Sequence, residues 1–257
     1  MAAETKGVLA LKIKLAACEK TVCTMMCNLF FTDMPAMYKN TGVVDFLMFD
    51  LEHGSYNPEN VADLLRACRD ADLPAIVRVP DYDYHCIARP LDMGADGILL
   101  PRTETLEQVD HAIKAMRFFP RGKKGVGGRG LFRPGETPAD FNENRLLFLQ
   151  IESPLGVQNL ATMLERYGDE IAGILIGPND MAVTSGCGLN LGADKVVSRI
   201  REVIRICKAH NKSVGIFMGN DEVARWWEEG MNLLWVNTEM GIFAVGLQDV
   251  VSRVKEL

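Results

Sequence analysis

No stretch of the 257 residues approaches the roughly 20 consecutive apolar residues that a membrane span requires, and the apolar start is interrupted by Glu4, Lys6, Lys12 and Lys14. Neither a membrane segment nor a secretory leader is therefore expected, and a cytoplasmic protein is. Paired cysteine motifs are missing as well. The seven cysteines, Cys18, Cys23, Cys27, Cys68, Cys86, Cys187 and Cys207, are odd in number and scattered through apolar runs, which excludes a disulfide framework and fits a reducing compartment. Cys23 and Cys27 have no partner CxxC or HxxxH at zinc-ligand spacing. A basic excess is also absent. With a formal net charge of -6 the chain does not read as a binder of phosphate backbones, so nucleic acid is not an expected partner. Three chemical signatures are lacking: a GxGxxG between strand and helix, a GxSxG elbow, and a lysine at a strand end. Dinucleotide binding, acyl-enzyme hydrolysis and Schiff-base chemistry each lose their usual footing.

What the sequence does have is alternation. Short apolar runs at 21–30, 46–50, 75–78, 97–100, 147–152, 173–176, 213–217 and 233–237 read as buried parallel strands. Between them, 58–71, 105–118, 160–167, 195–210 and 221–230 read as crossover helices, and Gly94 and Gly230 stand where helix C-caps release the chain into the next strand. Eight strand–helix units predict one α/β domain over residues 1–257, a (β/α)8 TIM barrel rather than an open sheet. One segment breaks the rhythm. Residues 120–144 carry six glycines among Arg121, Lys123, Lys124, Arg129 and Arg133. They lack the GK[ST] ending of a phosphate loop, so an active-site loop is the preferred reading and phosphate binding the lesser one.

In a barrel, the strand C-terminal ends build the active site. Here they deliver Asp50, Glu52 and His53 after the second strand, Arg78 after the third, Gln150 and Glu152 from the fifth, Asp180 after the sixth and Glu239 after the eighth. Each alone has a structural explanation as a cap or an ion pair. Several charges at one mouth point instead to a bound cation or charged ligand. Glu152 and Asp180 are two hard oxygen donors with no Cys or His beside them, which suits Mg²⁺ or Mn²⁺. A metal chelated by a 2-oxo acid would act as a Lewis acid, Arg78 would stabilise the enolate oxygen, and His53 would shuttle the proton. Asp50, three residues before His53, is the nearby carboxylate to which this reading points as its partner.

The segments FLMFDLEHGSYN, IVRVP, LDMGADGILLPR, LFLQIESPLGVQNL and GILIGPNDMA together resemble the HpcH/HpaI aldolase family. The resemblance implies a class II pyruvate aldolase with a phosphoenolpyruvate/pyruvate-type barrel, which cleaves or forms a 4-hydroxy-2-oxo acid from pyruvate, or a close 2-oxo acid, and an aldehyde. By motif it implies Glu152 and Asp180 as ligands of Mg²⁺, Mn²⁺ or Co²⁺, with no organic cofactor. It implies Arg78 at the enolate, His53 as acid/base with Asp92 as its partner carboxylate, and Gln150, Gly177 and Pro178 as substrate contacts. A homo-oligomer, commonly a hexamer, is implied too. Against the family pattern the chain reads DLEH for DGEH and carries Glu239 where aspartate is frequent, so Glu239 is expected to reshape the pocket. Two alternatives stand beside this reading. One is a citrate-lyase-like enzyme acting on coenzyme A thioesters, to which the basic loop gives weight. The other is a barrel that binds a 2-oxo acid without turnover.

Overall fold

The computed structural model describes residues 6–128, 130–219 and 222–255; Arg129 and Asp221 lie outside the described residues. The chain runs α1 (Lys6–Ala16), β1 (Thr21–Met26), α2 (Met34–Thr41), β2 (Phe46–Asp50), α3 (Pro58–Asp70), β3 (Ala75–Arg78), α4 (Tyr84–Met93), β4 (Gly97–Leu100), α5 (Leu106–Met116) and α6 (Pro138–Asn144). It continues through β5 (Leu146–Ile151), α7 (Pro154–Tyr167), β6 (Ile171–Ile176), α8 (Pro178–Thr184), α9 (Asp194–Ala209), β7 (Val214–Met218), α10 (Val223–Glu228), β8 (Leu233–Thr238) and α11 (Glu239–Lys255). The eight strands pair in chain order, and β8 returns to β1, closing the barrel. All the pairings are parallel.

Local chemistry sets the helix starts. Asn57 accepts from the Asn60 N–H ahead of α3, Ser153 accepts from the Gly156 N–H ahead of α7, and Thr105 with Gln108 makes a reciprocal capping box at α5. Gly94 closes α4 at φ 112°, in the left-handed region that suits glycine, as its place in the sequence predicts.

The period of two along the strands carries the core up to the mouth. Phe46 and Met48 of β2, Ile76 of β3 and Phe148 of β5 fill the barrel interior, with the Phe46 and Phe148 rings stacked 5.7 Å apart. Alternate residues such as Leu47, Phe49, Val77 and Leu149 face the helices. Continuing the inward set by two residues gives Asp50, Arg78 and Gln150, and then Glu152, all buried. Asp50 and Arg78 are the last paired rung between β2 and β3, so the strand register itself sets these two opposite charges side by side.

The glycine-rich segment corrects one expectation. Lys124 is fully buried against Asp92 near the end of α4, the Arg133 guanidinium pairs with buried Asp96, and Arg121 is shared by Glu170 and Glu143. The Gly130 N–H donates to the Asp92 carbonyl at 3.1 Å. These contacts fasten the segment to the end of α4 and the start of β4, at the base of the barrel, and its last residues form α6. Its described part therefore packs at the base rather than over the mouth, with Arg121, Lys124 and Arg133 held by carboxylates of the barrel wall.

Candidate active site at the barrel mouth

A cavity of about 190 Å³ opens at the C-terminal ends of the strands, lined by Met25, Cys27, Asp50, His53, Arg78, Gln150, Gly177, Pro178, Asn179, Asp180, Phe217, Trp235 and Thr238. Asp50 grips Arg78 with both oxygens, at 2.8 Å to Nε and 2.6 Å to Nη2. That two-point hold fixes the guanidinium plane and leaves other N–H groups for a ligand. Burial would raise the Asp50 carboxyl, but the Arg78 hydrogen bonds outweigh it and leave it below its ordinary value. Asp50 also accepts the main-chain N–H groups of Glu52 and His53, at 3.0 and 3.3 Å.

Glu52 is the junction of the cationic side. Its carboxylate lies 3.5 Å from Arg78 Nη1, 3.2 Å from Arg102 Nε and 3.8 Å from His53 Nε2. Burial raises its pKa in spite of these neighbours. The His53 side chain is two-thirds exposed and reaches the cavity rim.

The acidic side is built differently. Glu152 accepts from the Arg102 main-chain N–H at 2.7 Å through Oε1 and from Gln150 Nε2 at 2.6 Å through Oε2. A Cβ on residue 177 would collide with Glu152 Oε2 and stand 2.8 Å from Gln150 Nε2, so glycine is what lets the β6–α8 turn pass this close. The Glu152 carboxyl is pushed up to about 7, chiefly by burial, against the Arg102 hydrogen bond, with Asp180 and Glu52 adding repulsion. Gln150 Oε1 is buried without a hydrogen-bond partner. Glu152 and Asp180 both line a second hollow of about 320 Å³ with Asp81, Tyr82, Arg102 and Thr184, and Asp180 lines the first cavity as well.

Two expected roles do not match the geometry of a single chain. Asp92 pairs with Lys124 near the C-terminal end of α4, the end nearer the barrel base, whereas His53 stands at the mouth; the carboxylate paired with His53 is Glu52. Glu239 does not line the cavity. Its Oε1 accepts the N–H groups of Cys27, Asn28 and Leu29 at 2.9, 2.5 and 3.0 Å, while Oε2 is buried and unpartnered. It anchors the loop after β1, and Thr238 is the residue at that corner that faces the cavity. Thr238 stands at a strand end already marked in the sequence, whereas Arg102 is given no role there, although it lies two residues past the end of β4.

The pattern of the family described as HpcH/HpaI aldolase/citrate lyase matches residues 30–237. The chain belongs to this family. Among its relatives, 5-keto-4-deoxy-D-glucarate aldolase from Salmonella arizonae is 30% identical over 217 residues, covering 82% of this chain and 84% of that protein. A family member from Burkholderia cenocepacia J2315 shares 26% identity at a TM-score of 0.86, covering 96% of this chain and 99% of that one. The citrate synthase SbnG shares 25% identity at a TM-score of 0.82, with 96% and 97% covered. The family is one of aldolases and lyases, and the barrel is the one its solved members share.

Proposed function

We propose that the protein is a divalent-metal-dependent aldolase that cleaves or forms a 4-hydroxy-2-oxo acid, joining pyruvate or a close 2-oxo acid to an aldehyde. The observation that carries this reading is a rigid guanidinium, Arg78, in the same cavity as Asp180 and Gln150, whose Oε1 is buried without a partner, with Glu152 joined to that wall by the hydrogen bond it accepts from Gln150 Nε2.

The acid pair fits a divalent cation. Its donors are all oxygen, its electrostatics leave negative charge to be neutralised, and the ion pairs at this mouth go to Asp50 and Glu52 instead. Glu152 and Asp180 would hold Mg²⁺ or Mn²⁺, with Co²⁺ a further candidate, and no organic cofactor is needed. When bound, the cation supplies Lewis acidity toward the 2-oxo group. Arg78, fixed by Asp50, donates to the oxygen that gains charge as the enolate forms, at no cost in reorganisation. His53 takes the proton of the 4-hydroxyl group while the bond between carbons 3 and 4 breaks, with the Glu52 carboxylate 3.8 Å from its Nε2. Gln150 and the backbone at Gly177 and Pro178 orient the oxo acid.

The thioester alternative draws less from the basic loop, since Arg121, Lys124 and Arg133 pair with internal carboxylates, and the likeness to the citrate synthase SbnG keeps it as the second reading. A barrel that binds a 2-oxo acid without turnover would use the same grip of Asp50 on Arg78, and metal-dependent turnover is what separates it from the aldolase. We also propose a homo-oligomer. α11 buries only Glu239, while Phe243, Leu247, Val250 and Val254, which share one side of the helix, stand more than half exposed, and such an apolar stripe suits a contact with another copy of the chain. No helix among the described residues is long and apolar enough to cross a membrane.

The test is proton exchange. Pyruvate in deuterated water, with Mg²⁺ or Mn²⁺, should lose its methyl proton signal with the protein present, and EDTA should stop the loss. No exchange with any metal would contradict the aldolase reading.

A further inference from the structure

Arg102 touches both sides of the site by different means. Its backbone sits at φ 45°, a left-handed conformation rarely taken by a residue with a side chain. In that conformation its N–H meets Glu152 Oε1 at 2.7 Å. Its guanidinium runs the other way, with Nε 3.2 Å from Glu52 Oε1 and Nη2 donating to the Pro80 carbonyl at 2.8 Å. Glu52 in turn neighbours Arg78 and His53. One residue thus links the carboxylate on the metal side, through its main chain, to the carboxylate on the proton side, through its side chain.

We propose that Arg102 is a positioning residue that holds the two halves of the active site in register. The assignment rests on the metal-dependent aldolase reading and adds a residue to it. A strained conformation persists where surrounding bonds over-determine it, and here the N–H bond to Glu152 and the three side-chain contacts, including Asp81 at 3.7 Å, do so. Outer partners of metal ligands and of catalytic groups change affinity or rate by roughly 10–100-fold when removed. The two arms of Arg102 should therefore separate under substitution.

Arg102→Gly keeps the left-handed conformation and the N–H but removes the guanidinium. Arg102→Val removes the guanidinium and disfavours the conformation. Arg102→Lys keeps a cation. Mn²⁺ titration of the metal-free proteins reads the first arm, and methyl-proton exchange at saturating Mn²⁺ reads the second. The glycine variant should bind Mn²⁺ within about threefold of wild type yet exchange about tenfold more slowly. The lysine variant should recover much of that rate, and the valine variant should bind Mn²⁺ at least about tenfold more weakly. Melting temperatures show that each variant is folded, and if the valine variant does not fold, the glycine and lysine pair still decides the side-chain arm. Exchange by the glycine variant at the wild-type rate, or equal Mn²⁺ affinity in the glycine and valine variants, would overturn the assignment. Wild-type protein that binds no Mn²⁺ would sink the aldolase reading itself, and the Arg102 assignment with it.

Discussion

The two ends of this barrel handle buried charge in opposite ways. At the base, Arg117 and Arg121 share Glu170 at 2.9 and 2.6 Å, Arg145 takes both oxygens of Glu136 at 2.8 and 2.9 Å, and Lys212 donates to the carbonyls of Gly168 and Ile171. These cations collect where helix C-termini and strand starts meet, and they satisfy carbonyls and carboxylates together. At the mouth, the Glu152 carboxyl is raised to about 7 beside Asp180 and Gln150 Oε1 on the cavity wall has no donor, whereas the unpartnered Arg145 Nε of the base belongs to a guanidinium whose other two nitrogens are both paired. The base shows what charged residues look like when their task is structural. Charge left uncompensated at the mouth marks the place where a ligand completes the balance.

The contrast can be broken by substitution. Arg78→Lys keeps a charge but loses the two-point grip of Asp50, and exchange should fall by about 10²–10³-fold with little change in melting temperature. Gly177→Ala places a methyl group against Glu152 Oε2 and should cost about 10²-fold, since small displacements of a reacting constellation are expensive. Wild-type rates in either variant would show that this cavity is not where the chemistry occurs.

A smaller effect tests the base through pH. Burial alone would raise Glu170, but the Arg121 and Arg117 hydrogen bonds and charges outweigh it and lower its pKa from the ordinary 4.5. A carboxylate depressed on folding contributes stability above its unfolded value and loses it as pH falls through the folded one. Thermal melts should therefore drop on acidification below pH 4.5, and the drop should be shallower in Glu170→Gln. An identical acid profile in the two proteins would contradict the account of the base.

Much of the barrel was legible because buried strands repeat with a period of two and end in turns. β2, β3 and β4 fall at their expected bounds. The strand expected over 21–30 stops at Met26, because Glu239, more than 200 residues away, draws the N–H groups of Cys27 to Leu29 out of the ladder. α7 begins at Pro154 rather than at 160, and the Ser153 cap with proline in the first turn was a readable signal. α11 was not readable, since its apolar residues mark no core face. At the site, residue types and strand ends were legible but pairings were not. Asp50, three residues before His53 in sequence, goes to Arg78 because the β2–β3 register puts them side by side, and Asp92 goes to a lysine on a distant loop. Such choices depend on which segments meet in space, and local sequence does not encode that.

The most direct test sets one glutamate from each end side by side, Glu152→Gln and Glu170→Gln, measuring metal-dependent methyl-proton exchange and melting temperature on both. Glu152→Gln should abolish exchange while holding or raising the melting temperature, because it relieves a buried carboxylate. Glu170→Gln should exchange at the wild-type rate and lose about 2–3 kcal/mol of stability, because it strands Arg117 in the interior. Exchange that survives in Glu152→Gln, or is lost in Glu170→Gln, would contradict the division of labour between mouth and base.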